Sequence, residues 1–331
     1  MIFDADENRD CYYSYSINKC TDCSDLYRTR QSELCYECID CMLCYNSKFL
    51  QNCGECRDSA FLENCRSCKN CFMCVNLQHK EYYFLNEHVG KEKYEELIKT
   101  LASRKKMNEY KKRFAELKLK FPKRYAQIYK SENSSGNYLT NTKNAYHCFD
   151  ANNLWDCRYV TQSFMDSIKD SMDCIEIGGG AELMYMTVTA GYNASRIKFS
   201  AHLLDQVSEI EYSMQCHFSN NLFGCVSLRR KKYCILNKQY SPEEYKKMLP
   251  KIKDHMIKTR EYGKYFPYNI SPFGYNETLA QQWYPLTKNE AISKGWKWFE
   301  EKNEEKGEPT GIPDNIDDVK ENICNEIMIC S

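Results

Sequence analysis

Long hydrophobic runs are missing from this chain. No stretch approaches the ~18 apolar residues of a membrane-spanning helix, so no membrane partner is expected. The first residues, Met1-Ile2-Phe3-Asp4-Ala5-Asp6-Glu7, are charged from Asp4 onward and carry no apolar leader segment. Net charge is missing as well: 46 Lys and Arg offset 46 Asp and Glu over 331 residues, which leaves no single-signed field across the whole molecule. Histidine is scarce, at six. His147 precedes Cys148 and His217 follows Cys216, but neighbouring residues on a strand face opposite ways, so neither pair joins a nucleophile to its base. Gly178-Gly179-Gly180 lacks the spacing and following helix of a phosphate loop and reads as a corner. With no aliphatic-led hexapeptide repeat and no convergent carboxylate and arginine set, the expected protein is not an enzyme.

What the chain has in abundance is cysteine, 21 residues, and tyrosine, 26. An odd cysteine total does not favour a closed disulfide framework. Without a leader segment the thiols are expected to be reduced and the protein cytoplasmic. Their spacing is the main signal. Cys11, Cys20, Cys23, Cys35, Cys38, Cys41, Cys44, Cys53, Cys56, Cys65, Cys68, Cys71 and Cys74 all differ by multiples of three. Neither the strand period of two nor the helical 3.6 gives that phase, whereas short strands broken by corners keep it. Cys20, Cys38, Cys56 and Cys74 step by eighteen, as do Cys35, Cys53 and Cys71. That step suggests an eighteen-residue coil with three sides, like residues stacking about 4.8 Å apart. Asn, Asp, Ser and Gly would form its corners.

A second signal is an internal duplication. Cys74-Val75-Asn76-Leu77, Lys80, Tyr82, Leu85, Asn86, Glu92 and Tyr94 recur as Cys225-Val226-Ser227-Leu228, Lys231, Tyr233, Leu236, Asn237, Glu243 and Tyr245, always 151 residues on. Two homologous modules therefore end alike, each in a last strand followed by a helix. Ser241, Pro242 and Glu244 mark the second helix with a capping box, while the first has only Gly90. The expected fold is mainly β with helical insertions: two right-handed β-solenoid modules with Cys ladders, each followed by a capping helix. The expected segments are module one at 1–89, a basic amphipathic helix at 90–130, module two at 131–240, the second capping helix at 241–260, a small aromatic unit at 261–302 and a loose tail at 303–331.

The chain resembles a family of uncharacterised cysteine-rich repeat proteins of candidate-phyla bacteria. The resemblance lies in Cys35-Tyr36-Glu37-Cys38-Ile39-Asp40-Cys41, Asn70-Cys71-Phe72-Met73-Cys74-Val75, Asn221-Leu222-Phe223-Gly224-Cys225-Val226, Lys232 to Tyr240 and Ser271 to Thr278. It implies a zinc-ribbon label, earned in that family by CxxC pairs in flanking segments. Here the tail offers only Cys324 and Cys330, which do not form such a pair.

The CxxC pairs within the repeats are the candidate metal ligands. Stacking at eighteen would bring together Cys35, Cys38, Cys53, Cys56, Cys71 and Cys74, whose thiolates could close from about 4.8 Å to the roughly 3.8 Å separation around zinc. Against this, Cys71 corresponds to Leu222 in the second copy, and a leucine replaces a packed thiol but never a ligand. Interior packing is the preferred reading, and no cofactor is required. The expected function is a non-catalytic repeat scaffold with a protein partner. The alternative is a zinc-binding, nucleic-acid- or ribosome-associated protein that uses the CxxC pairs and the basic segment Lys99 to Arg124.

Overall fold

The computed structural model describes residues 44–163, 166–204, 206–300 and 311–325, together with the backbone of three strands, Ile2–Asp6, Ser14–Asn18 and Tyr27–Arg30. Among the described residues strand outweighs helix, 38% to 25%, so the fold is mainly β with a few helices. None of the described helices is long and apolar enough to cross a membrane. The chain divides into two compact units, residues 1–123 with 303–331, and residues 124–302.

In unit one nearly all pairing is parallel with a register step of twelve: Ile2 pairs with Ser14, Tyr15 with Tyr27, Lys48 with Ala60, Ala60 with Phe72, and Lys69 with Glu81. Twelve replaces the expected eighteen. The backbone explains the number. From Asn46 to Leu85 every third residue has a positive φ, between 43° and 59°. Each such residue is a left-handed corner, and the residue that follows it turns inward. Cys44, Ser47, Leu50, Cys53, Cys56, Ser59, Leu62, Cys65, Cys68, Cys71 and Cys74 are accordingly buried. Four triplets separate one strand from its parallel neighbour. Asn and Asp, which tolerate this conformation best, fill many corners and bond to their counterparts in the next layer. Asn46 donates to Asp58 at 2.8 Å and Asn64 to Asn76 at 2.7 Å.

Unit two follows the same rule in a thirteen-stranded sheet. Its register step is twelve at Gly136–Cys148, Ser208–Asn220 and Asn220–Lys232. The step lengthens to fourteen at Leu154–Ile168 and to thirteen at Glu182–Ser195 and Ser195–Ser208. The extra residues fall at one recurring corner, between the buried residues Ser163 and Ile168, Ile177 and Ala181, Ala190 and Ala194, and Leu203 and Val207. Gly178-Gly179-Gly180 is one of these turns, with Gly180 at φ 76°. A Cβ on Gly178 would stand 2.7 Å from the Gly191 carbonyl carbon in the next layer, so the close approach of the two turns requires glycine.

Both copies end through the same device. Leu85-Asn86 and Leu236-Asn237 have positive φ at both residues, the type I′ geometry that folds a strand back on itself. The last strands, Glu81–Phe84 and Lys232–Ile235, pair antiparallel with Glu87–His88 and Lys238–Gln239. The Asn86 carboxamide donates to the Val75 carbonyl at 2.9 Å and accepts from the Val75 N–H at 2.8 Å; Asn237 does the same to Val226 at 2.9 and 2.8 Å. One side chain thus occupies the backbone groups that a further strand would use.

The helices lie along an outer face rather than capping an end. Helix α1 (Lys91–Lys99) and helix α2 (Arg104–Lys118) bury Tyr94, Tyr110 and Phe114 against Phe49, Phe61, Phe72, Met73, Phe84 and Leu85, which come from four successive layers. Tyr94 also donates its hydroxyl to the Asp58 carbonyl. Helix α2 stops well short of residue 130, because Pro122 follows and disfavours a helical residue before it. Its start is basic, Arg104-Lys105-Lys106, against the helix dipole. Asp314 compensates by accepting from the Lys105 N–H at 2.8 Å and from the Ser103 hydroxyl at 2.7 Å. In unit two, helix α3 (Pro242–Lys258) has the predicted Ser241–Glu244 capping box, and packs Tyr245 with Phe199, Tyr212, Phe223 and Ile235.

If the carboxamide plug closes the last layer, Asn237→Ala will cost about 1–2 kcal/mol by leaving the Val226 groups unpaired. Urea unfolding of the full chain measures this, and Asn86→Ala should behave alike.

Candidate functional site

The described cysteines are buried, and Cys53 to Cys234 among them donate to backbone carbonyls. Cys56, Cys65, Cys68 and Cys71 each donate to the carbonyl two residues back and also lie within reach of the carbonyl nine residues on, at 3.3–3.7 Å. Serine does the same in other columns. Ser59 donates to the Arg57 carbonyl at 2.7 Å and accepts from the Cys71 N–H at 3.1 Å, and Ser213 repeats this with Glu211 and Cys225.

The expected metal set is not brought together in the expected way. Cys35 and Cys38 lie outside the described residues. With a step of twelve, Cys53 stacks on Cys65 and Cys56 stands between Cys44 and Cys68. Cys71 stacks on Ser59, and Cys74 on Leu62. Eighteen residues is one and a half steps, which puts Cys53 and Cys71 on different columns. Among the described residues no group of three or more His, Cys, Asp or Glu is placed to hold a metal ion. In the second unit Leu222 pairs in register with Cys234, so leucine and thiol share a column.

Burial decides the protonation of most of these thiols. It pushes Cys157 and Cys174 up to about 12 from an ordinary 9.0, and Cys53 well above that ordinary value. Cys68 runs the other way, because the neighbouring thiols of Cys56, Cys65 and Cys71 donate toward it. His147 does not meet the Cys148 thiol. Its ring stacks on Tyr159 at 5.5 Å, while Cys148 points inward to the Tyr146 carbonyl.

The basic segment is partly consumed by its own unit. Lys118 and Lys123 sit 3.0 and 2.9 Å from the Glu63 carboxylate, Lys106 pairs with Glu109, and Lys111 lies over the Phe49 ring. Lys99, Lys105, Lys112, Lys120 and Arg124 are exposed. Glu63, at 6% exposure, ties the end of helix α2 to the strands. Glu211 does the corresponding work in unit two, accepting from Lys253 at 2.6 Å and from the Tyr262 hydroxyl at 3.0 Å. Sequence reading missed both carboxylates. The available signal was a lone Glu ending the apolar run Ala60-Phe61-Leu62.

Unit two presents the candidate interaction surface. Register links Phe149, Thr161, Ile175, Val188, Ala201, Met214 and Val226 into one outward column, each paired with the next. Phe149 is 46% exposed, Ile175 39%, Met214 39% and Val226 45%, while Thr161 and Val188 are half-buried and Ala201 is buried, so the apolar stripe is open toward its two ends. Seven layers at about 4.8 Å make it roughly 30 Å long. A polar corner column runs beside it: Asp150, Gln162, Glu176, Thr189, His202, Gln215 and Ser227. In unit one the same column reads Gln51, Glu63 and Val75, and Lys118 reaches over it. No family model and no curated protein matches this chain.

Two outcomes are expected. Raising pH above 9 lets the unfolded chain ionise Cys157 and Cys174 while the folded chain keeps them neutral. Stability present below pH 9 is then lost toward pH 12, at about 1.4 kcal/mol per unit for each thiol. Urea midpoints between pH 8 and 10.5 measure this slope, and it should flatten in Cys157→Ser/Cys174→Ser. Removing the Glu63 charge as Glu63→Gln should cost about 1–3 kcal/mol, less than the ~3–5 of a fully buried pair because both lysines reach water. Thermal unfolding of that variant provides the check.

Proposed function

We propose that the chain is a non-catalytic repeat scaffold. In this reading each unit winds as a right-handed, four-sided solenoid of twelve-residue coils, the hand following the general preference of parallel crossovers. The second unit offers its apolar stripe to a protein partner. The observation that carries this is the set of exposed apolar residues Phe149, Ile175, Met214 and Val226 on one register column, bordered by a polar corner row: an apolar centre with a polar rim is the usual make-up of a protein contact. The thiols serve the interior. They fill columns that leucine, alanine and serine fill elsewhere, which supports packing as the physical content of the cysteine-rich pattern.

A photo-crosslinking side chain at Met214, with Lys143 as control position, tests the reading in cells. A reproducible protein adduct from Met214, missing from Lys143 and lost in Ile175→Lys/Val226→Lys, is expected. Both substituted positions are exposed, so the double variant should unfold within about 1 kcal/mol of the parent. Equal adducts from both positions, or none from Met214, would overturn the proposal.

A further inference from the structure

The face covered by helix α3 is only partly covered. One corner column runs through Asp173, Met186, Phe199 and Tyr212, a register step apart. Phe199 and Tyr212 are buried under Tyr262 and Phe266. Beyond them the cover ends, and Asp173, Met186 and Val188 become the floor of a cleft of about 900 Å³, within the range of small-molecule sites. Tyr265, Tyr268 and Trp296 line its walls, with Lys264 and Lys294 beside them. The walls are anchored. The Gly263 N–H donates to the Tyr212 hydroxyl at 2.9 Å, Tyr262 holds Glu211, and Trp296 stacks on Tyr275 with ring centres 5.0 Å apart.

We propose that this cleft binds a nucleotide, with the base against the exposed Tyr268 ring, which Trp296 backs at 5.0 Å, and the Met186 floor, and the phosphate on Lys264 and Lys294. Three features select that chemistry. Aromatic walls over a thioether floor suit a flat ring. Neither lysine has an ion pair among the described residues; Lys294 rests its ammonium over the Trp296 ring at 5.6 Å, and a neutral glycan would leave the Lys264 charge uncompensated. The strand Glu182–Ala190 beneath the cleft is already paired on both sides, so a peptide would find no free edge to join. Asp173, a carboxylate acceptor, favours bases that carry an amino donor over uracil.

Calorimetric titration of the full chain with the four ribonucleoside 5′-monophosphates, their nucleosides and a short single-stranded RNA tests this. Monophosphates should bind, uridine monophosphate weakest, and nucleosides about tenfold more weakly. Lys264→Glu/Lys294→Glu should lose about tenfold in monophosphate affinity, and Asp173→Asn should level the four bases. Tighter binding of the RNA than of any monophosphate would assign the cleft to a strand end, and the reverse to a free nucleotide. Met186→Trp, which fills the floor, should abolish binding while unfolding at an unchanged temperature. No binding by any probe, nucleosides equal to monophosphates, or undiminished affinity in the double lysine variant would overturn it.

Discussion

A left-handed backbone corner at every third residue is the constraint on which the rest of the structure depends. It gives one inward side chain per triplet and leaves the other two positions for hydrogen bonding and for the outer face. For L-residues that conformation costs on the order of 1 kcal/mol each. The chain accepts the cost at Phe49, Phe61 and Met73 under helices α1 and α2, and at Phe199 and Tyr212 under Tyr262 and Phe266 beyond helix α3, where burying a large side chain offsets it. At open corners it places Asn and Asp, which reach αL more readily and bond to their counterpart one layer away.

The same constraint explains the cysteine content. An interior fed from corners three residues apart is narrow, and its walls present carbonyl groups to whatever fills it. Cysteine and serine are small and donate to those carbonyls, and leucine or isoleucine fills the gaps between them. Unit one uses thiols in most columns. Unit two mixes Cys148, Cys174, Thr187, Ser200, Ser213 and Cys225 in a single column. Burial keeps thiols such as Cys157 and Cys174 protonated, whereas a metal ligand acts as a thiolate.

The phase of the repeat was legible from sequence, and its closure was not. A spacing search over cysteines alone sees multiples of three and finds eighteen, because Ser47, Leu50, Ser59 and Leu62 share the same interior and hide the twelve-residue step. Asn46, Asn52, Asp58, Asn64, Asn70 and Asn76, each just before an inward position, were the signal for left-handed corners. The 151-residue register between copies was readable and holds in the hairpins at Asn86 and Asn237 and at the helix starts, Lys91 and Pro242. What composition could not reveal was that Asp314 would neutralise the start of helix α2, or that Glu63 would hold its end. Both partners are distant in sequence, and a charge run carries no mark of the carboxylate it will meet.

The two copies share their ending and differ in what they leave open, and that difference bears on their roles. In unit one the column before Val75 holds Glu63, and a buried carboxylate obliges Lys118 of α2 and Lys123 beyond it to cover it, so the side is closed by its own charge. In unit two the equivalent position is Met214, which requires no partner and draws no helix across it. Polarity here acts as a latch and its absence as an opening. Each unit's last layer is closed by its asparagine plug. With that edge closed to further strands, the exposed apolar residues Phe149, Ile175, Met214 and Val226 lie on a side face of unit two.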